Sequence, residues 1–516
     1  MLLHERLHDV AGRFPDKLAL GFGEESLTFA ELDQRSRALA ATLRDLGVRP
    51  GDRVALLANP CAAVVVAFWA TLYAGAISVY LNEQLAPEGL GEILRDCEPT
   101  VVVASRRYAA GKLAPVGAGT RPGRILVLED EPAMFARPAA DGRASALPTA
   151  SETDIAAIVY TSGSTGTPKG VCLSHRNLNT TVRAVSTHMP ITADDSYLMV
   201  VPLHFVHGLM QLLVHTLCGA SIHFARDFLL PTLVLDQLVR TRVTGFSGVP
   251  YHFAALMQRS RFLQTALPHL RWIAVTGGRM PPERIAQIRD AKPGLEVHIW
   301  YGQTECAPRI TALDPRRVDR KPDSVGSPVP GVKVLILDER DREVTQGEVG
   351  EVVVCGENVM VGYWRQPEAT ATVVDSLGRL HTGDLGWLDH EGDLFLSGRR
   401  DAMIKSAGER IFAEEIESVL LTCEGVLDAV VVGVPDELTG QRIEAHVRVD
   451  LRLPEGKAAM EGLVGRIRQH CLSKMPFARA PKAYHIWADF PRRPNGKIDR
   501  PRILQGPGRR PTTPVG

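Results

Sequence analysis

The sequence predicts an α/β protein: a large N-terminal domain of α/β subdomains plus a small β-barrel, followed by a smaller α+β C-terminal domain. Three observations lead there. The first half of the chain alternates helical patterns with short apolar runs, which indicates a parallel or mixed sheet with helices on its faces. Between Val325 and Leu396 the runs turn short and β-rich and are parted by Gly and Pro turns, as in a small barrel or sandwich. After Arg399 helix and strand patterns return as a separate α+β unit. At 516 residues the chain exceeds what one ordinary core fills, so two or more domains are expected.

Thr28 and Glu31 stand at capping-box spacing, so a helix opens there; it runs to Leu46 and is ended by Gly47. Residues 54–57 form a short buried strand and begin an uncharged stretch that reaches Asn82. Residues 62–80 are long enough to cross a bilayer. Asn59, Pro60, Gly75 and Ser78 interrupt the stretch, and buried elements of an α/β domain are also apolar all round. A buried helix, a turn at residues 74–76 and a buried strand through Val79 are therefore expected, with no integral membrane segment. Residues 117–151, rich in Gly, Pro, Ala and charge, read as a surface excursion. A second α/β region spans residues 155–305. Residues 332–337 and 351–354 lead the β-rich part. In the C-terminal unit a helix over 414–421, a strand over 429–434, a helix over 460–471 and a strand over 483–487 are expected. The boundary falls at Arg400-Asp401, giving domains 1–400 and 401–504, with 505–516 a frayed Gly/Pro tail.

Hydrophobic residues make up 45% and charged residues 23% of the chain, as in ordinary globular proteins. Lys+Arg and Asp+Glu are both 59, so no net field draws the chain to nucleic acid or an anionic membrane. The eight cysteines, Cys61, Cys97, Cys172, Cys218, Cys306, Cys355, Cys423 and Cys471, form no C-x-x-C pair. Reduced thiols in a cytoplasmic protein are expected rather than a zinc site or disulfides. The first residues lack the long apolar core of a signal peptide.

The segment that speaks most directly of chemistry is Ile158-Val159-Tyr160-Thr161-Ser162-Gly163-Ser164-Thr165-Gly166-Thr167-Pro168-Lys169-Gly170-Val171. An apolar strand runs into a loop of glycines and small hydroxyl residues with one lysine. Such a loop turns backbone N–H groups and hydroxyls toward polyphosphate, because glycine permits close approach and positive φ. It is not a Walker loop, which needs G-x-x-x-x-G-K-[ST]; Lys169 follows Pro168 and precedes Gly170.

This loop is followed in order by Tyr301-Gly302-Gln303-Thr304-Glu305, Gly362-Tyr363-Trp364, His381-Thr382-Gly383-Asp384, Gly398-Arg399-Arg400-Asp401 and Asn495-Gly496-Lys497. With these motifs the chain resembles the adenylate-forming superfamily of acyl-CoA synthetases, adenylation domains and luciferase-like enzymes over nearly its whole length, about residues 27–500. The resemblance implies an enzyme that activates a carboxylic acid with ATP, releasing pyrophosphate. The acyl group would then pass to CoA, giving acyl-CoA and AMP; a carrier-protein pantetheine or an amine is the alternative acceptor. It implies a nucleotide site of Thr161, Ser162, Gly163, Ser164, Thr165, Gly166 and Lys169 for the phosphates, with Gly277, Gly278, Tyr301 and Gly302 about the base. Tyr301 offers a flat face for adenine, Thr304 a hydrogen bond for the α-phosphate, and Glu305 a hard oxygen for Mg²⁺. Asp384 accepts both ribose hydroxyls and Arg399 supports the ribose and phosphate side.

Lys497 carries the catalytic expectation: its charge stabilises the negative charge redistributed as acyl oxygen attacks phosphorus. In the family the C-terminal domain is mobile and pivots near the position of Asp401. In the second pose the segment with Lys405, Ala407 and Gly408 would face the site, where many relatives carry two successive glycines lining a pantetheine tunnel. Here the first is Ala407. Phe205 stands where many relatives have a histidine, flanked by His204 and His207. His207 is expected at the acyl carboxylate or pocket, with Phe205, Ser247, Val249 and Gly278 near the acyl group. That mixture points to a largely apolar acid, aromatic or short-to-medium aliphatic.

Overall fold

In the computed structural model the Thr28 hydroxyl accepts the Glu31 N–H at 3.2 Å and the Glu31 carboxylate accepts the Thr28 N–H at 2.8 Å. The helix Phe29–Asp45 follows, and Gly47 leaves it at φ 91°. The structure describes the chain except residues 117–122, 131–149, 163–167, 190, 226–227, 229, 407–408, 437–438, 450–456, 478, 492–497 and 506–516.

The uncharged stretch folds as strand Arg53–Leu57, helix Ala62–Tyr73 and strand Ile77–Tyr80. The helix packs on helix Phe29–Asp45 and against strands of two different sheets, which is why it is apolar on every side. No helix among the described residues is long and apolar enough to cross a membrane.

The first sheet has a parallel centre in the order Leu18–Phe22, Ser221–Phe224, Ser196–Met199, Gly245–Gly248, Trp272–Val275, Glu296–Tyr301. Beyond Glu296–Tyr301 the ladder continues antiparallel through Thr311–Leu313, Ser324–Pro328, Leu394–Arg399, Leu380–Leu388 and Gly350–Gly356 to Val332–Leu337. The β-rich part is thus an antiparallel extension of the parallel sheet. The second sheet runs Gly362–Tyr363, Pro168–Ser174, Ile155–Ser162, Ile77–Tyr80, Arg53–Leu57, Val101–Ala104, Arg124–Val127. Its last strand lies inside the stretch read as a surface excursion. Arg124 and Ile125 face solvent there, so the strand carries only part of the apolar signal that marks a buried one.

The C-terminal unit holds hairpin Met403–Ser406/Glu409–Phe412, helix Ala413–Leu421, and a sheet of Val426–Asp436, Gly440–Val449 and Ala483–Trp487. Helix Lys457–Lys474 supplies Leu463, Ile467 and Cys471 to its core. Strand Gly440–Val449 was not anticipated, because Arg442, Glu444, His446 and Arg448 break up its apolar residues. They lie on one face as period-2 alternation requires, and Glu444, His446 and Arg448 are nonetheless buried.

Two predictions follow from the packing. A Cβ at Gly245 would lie 2.0 Å from Trp272 Cζ2, whereas one at Gly12, on an exposed helix face, would meet nothing within 4 Å. Gly245→Ala is expected to cost roughly 3 kcal/mol and lower the Tm by several degrees. Gly12→Ala should instead stabilise by up to about 1 kcal/mol; differential scanning fluorimetry checks both. Burial also holds the imidazoles of His4, His215 and His252 down to about 4 and those of His175, His207 and His298 to about 3. Below the ordinary histidine value the unfolded chain therefore binds protons that the folded chain refuses, so stability falls as pH falls. Glu417, which burial raises to about 7, and Glu414, which burial also raises, oppose this. The Tm should drop between pH 6.5 and 5, with net proton uptake on unfolding measurable by calorimetry in buffers of different ionisation enthalpy.

Candidate functional site

The phosphate-loop segment forms a β-hairpin in which Thr161 opposes Lys169 and Ser162 opposes Pro168. The tip, with Gly163, Ser164, Thr165 and Gly166, lies outside the described residues, as does the Ser162 side chain. Strand Gly362–Tyr363 pairs with the returning arm, Tyr363 opposite Val171. This sets the Lys169 ammonium 4.9 Å from the centre of the Tyr363 ring. The Tyr363 hydroxyl donates to Glu305 Oε1 at 2.9 Å. Burial and the Glu305 carboxylate hold the phenol well above its ordinary pKa, so it remains a donor. Lys169, Tyr363 and Glu305 thus come together from two sheets.

Glu305 sits in a tight loop between strands Glu296–Tyr301 and Thr311–Leu313. The Ile310 N–H donates to the Tyr301 carbonyl at 2.9 Å and closes the loop. A Cβ at Gly302 would stand 2.3 Å from the Pro308 carbonyl oxygen, so only glycine fits that turn. Thr304–Cys306 make a short 3-10 turn and Ala307 follows at φ 47°. Asn358 fastens the loop from outside, donating to the Cys306 and Arg309 carbonyls at 3.2 and 2.9 Å.

Asp384 and Arg399 are cross-strand partners. The Tyr301 hydroxyl donates to Asp384 Oδ2 at 2.5 Å, and Arg399 Nη1 donates to Asp384 Oδ1 at 3.2 Å. Tyr301, Asp384 and Arg399 therefore form one hydrogen-bonded group. With its hydroxyl anchored, the Tyr301 ring is set in orientation.

Gly277, at φ 75°, follows strand Trp272–Val275; a Cβ there would meet Val249 at 3.2 Å, and one on Gly278 would meet Pro250 at 3.4 Å. This backbone borders the neighbourhood of Ser247, whose hydroxyl shares hydrogen bonds with His207 Nε2 at 2.9 Å and with Tyr197 at 2.5 Å. Burial keeps the His207 ring neutral. His204 instead bonds Glu83 at 3.1 Å. Lys405 lies on strand Met403–Ser406, but its side chain, Ala407, Gly408 and Lys497 are outside the described residues.

Sequence reasoning missed Arg309 and the bridging roles of Tyr363 and Asn358. Arg309 is only 3% exposed, and its guanidinium lies 3.7 Å from the centre of the Trp300 ring. The legible signal was a cation four residues after Glu305 in an otherwise apolar, uncharged segment. Glu305 also passes a test of fit for Mg²⁺: Oε1 accepts from Tyr363, and among the described residues no partner is recorded for Oε2. A carboxylate oxygen with no partner among the described residues suits an ion that takes one or two carboxylates and completes its shell with water and phosphate. Asp389, Glu391 and Asp393, by contrast, converge on the Lys321 ammonium, which already supplies their cation.

The family described as AMP-binding enzyme matches residues 7–364, and the AMP-binding enzyme C-terminal domain matches residues 415–497. A feruloyl-CoA synthase of Amycolatopsis sp is 33% identical over 496 residues, covering 94% of this chain and 94% of that protein. An anthranilate CoA ligase solved in complex with anthranoyl-AMP superposes with a TM-score of 0.89 at 25% identity, covering 98% of this chain and 97% of that one. The o-succinylbenzoate coenzyme A synthetase of Bacillus subtilis, solved with ATP and magnesium ion, superposes with a TM-score of 0.83 at 26% identity, covering 97% and 99%. By its matched sequence, its fold and its relatives, the chain belongs to the AMP-binding enzymes of the adenylate-forming superfamily.

Proposed function

We propose that this enzyme is an AMP-forming acid–thiol ligase. It activates a carboxylic acid with ATP to an acyl-adenylate, releasing pyrophosphate, and transfers the acyl group to CoA to give acyl-CoA and AMP. The observation that carries the reading is the convergence of Lys169, Tyr363 and Glu305 beside the Tyr301–Asp384–Arg399 group. A cation, a carboxylate and a tethered acceptor are thus gathered from two sheets around the loop that follows strand Glu296–Tyr301, as phosphates, Mg²⁺ and ribose hydroxyls would require.

In this reading the Tyr301 ring lies against adenine, and Asp384, steadied by Tyr301 and Arg399, accepts the ribose hydroxyls. Thr161, Ser162, the loop 163–166 and Lys169 hold the phosphates, and Thr304 bonds the α-phosphate. Glu305 would hold Mg²⁺, which when bound neutralises polyphosphate charge. The acid's oxygen attacks the α-phosphorus and pyrophosphate departs. Lys497 approaches the carboxylate and α-phosphate and stabilises the charge that moves between them. The thiol then attacks the acyl carbonyl and AMP leaves. For that step the C-terminal domain, 401–504, turns on the N-terminal domain, 1–400, about Asp401, and brings the segment with Lys405 and Gly408 to the site. We place the reaction in the cytoplasm, where ATP and CoA are supplied.

Ala407 favours a second acceptor. In the resemblance two glycines line a pantetheine passage there, and a methyl group at the first would narrow it, so a carrier-protein pantetheine or an amine is the alternative to free CoA.

ATP–pyrophosphate exchange over a panel of carboxylic acids is expected to be acid-dependent, with AMP and not ADP as product. Repeating the panel with CoA, holo carrier protein and simple amines identifies the acceptor; turnover only with the latter two would replace CoA in the scheme. Lys497→Ala is expected to abolish acid-dependent exchange while sparing acyl transfer from a supplied acyl-adenylate. Exchange near the wild-type rate in that variant would remove Lys497 from adenylation.

A further inference from the structure

Trp300 and Tyr301 are successive residues of one strand, so their side chains point to opposite faces of the sheet. Tyr301 serves the Asp384–Arg399 face. Trp300 faces the other way, with the His207 ring 6.4 Å from its own and the Arg309 guanidinium 3.7 Å from its centre. Arg309 therefore lies on the side of His207, Ser247 and Tyr197, not on the nucleotide side.

A buried guanidinium is costly unless an anion answers it, and an aromatic face repays only part of that cost. Among the described residues the Arg309 side chain makes no ion pair. The groups that act on it electrostatically are Tyr197 and Cys306, and burial raises the pKa of both. His207, His188 and His298 also feel its charge, and burial lowers all three. Every one of these neighbours is neutral at pH 7. Asp314, the carboxylate that acts on His188 and His298, is forked to Arg316 Nε at 3.0 and 3.1 Å. Burial pushes Arg309 down to about 9, which still leaves it charged at pH 7. The acyl side of the site thus holds one buried positive charge with no described counter-ion.

We propose that Arg309 receives a second anionic group of the substrate: the enzyme activates one carboxyl of a diacid while the other acid end lies against the Arg309 guanidinium. This rests on the acid–thiol ligase reading and names its substrate class. It amends the expectation of a largely apolar acid, keeping an apolar body between two acidic ends.

The test is acid-dependent ATP–pyrophosphate exchange with matched pairs, each a dicarboxylic acid and its monomethyl ester, across aliphatic and aromatic spacers. The wild type is expected to prefer the diacid of its best pair by roughly a hundredfold in kcat/KM, because an unanswered buried charge rejects the neutral analogue. Arg309→Met should erase or invert that preference, and Arg309→Lys should retain part of it. Wild-type preference for monoesters or plain monoacids, with exchange otherwise robust, overturns the inference and leaves the ligase reading intact. So does a diacid preference that survives in Arg309→Met. Absence of exchange with every acid overturns the ligase reading and this inference together. Should Arg309→Met not fold, the wild-type preference and the Arg309→Lys variant decide.

Discussion

The site depends on the way residues 357–364 weld two sheets together. Tyr363 pairs with the phosphate-loop hairpin and donates to Glu305, while the Met360 N–H donates to the Glu305 carbonyl at 2.8 Å. The Val361 and Trp364 N–H groups donate to Cys172 and Gly170 of the hairpin at 3.0 and 2.7 Å. Asn358 ties the Glu305 loop from one side, and Asn177 holds the Glu357 and Val359 carbonyls from the other, each at 2.7 Å. Each such bond is worth only about 1 kcal/mol net, but a buried carbonyl left without its donor costs roughly 1–3. The weld is therefore hard to open one bond at a time. It fixes the Lys169 arm of the hairpin relative to the Glu305 carboxylate, a relation that neither sheet sets alone.

The strand Glu296–Tyr301 divides the chemistry of the molecule. On one face Tyr301 and Asp384 offer partly exposed polar atoms suited to a nucleotide. On the other Trp300, His298, Trp272 and His207 make an aromatic lining in which every imidazole is neutral. A low-dielectric lining of this kind amplifies whatever charge enters it. In the proposed reading one strand would separate a wet, multiply charged nucleotide from a drier acyl group, with the loop that leaves it carrying Thr304 and Glu305 to the boundary.

Much of this was legible in the sequence because the local rules agreed with one another. Thr28 and Glu31 formed their capping box, Gly47 ended the helix, and the strand Ala483–Trp487 stands where its apolar pattern placed it. Among the described residues, members of the ordered motifs come together: Lys169 with Tyr363 and Glu305, and Tyr301 with Asp384 and Arg399. What stayed hidden required tertiary information. Strand Gly440–Val449 carries charged residues that become tolerable only when partnered, as Glu444 is by Arg442 and His485. Tyr363 looked like a motif aromatic, and only the pairing of Gly362–Tyr363 with the hairpin shows that its hydroxyl reaches Glu305. Arg309 went unmarked: a lone cation in an apolar segment was the only local hint, and only the fold shows it buried over Trp300.

The junction with the C-terminal unit rests on a contact whose polar side is incompletely answered. Gly398 sits at φ 145°, and a Cβ there would lie 2.6 Å from Glu414 Oε2; the first turn of helix Ala413–Leu421 approaches the Asp384–Arg399 hairpin only because that position has no side chain. Burial raises the Glu414 pKa, and Asp384 pushes it the same way. Its Oε2 is buried with no hydrogen-bond partner among the described residues. A carboxylate held beside another carboxylate with one oxygen unanswered makes a poor adhesive. One Glu414 oxygen is left without a partner here, so departure of the helix would let that oxygen regain water. If the C-terminal unit turns between two half-reactions as proposed, its interface would need that property, and a fully paired salt bridge at the same place would oppose the rotation.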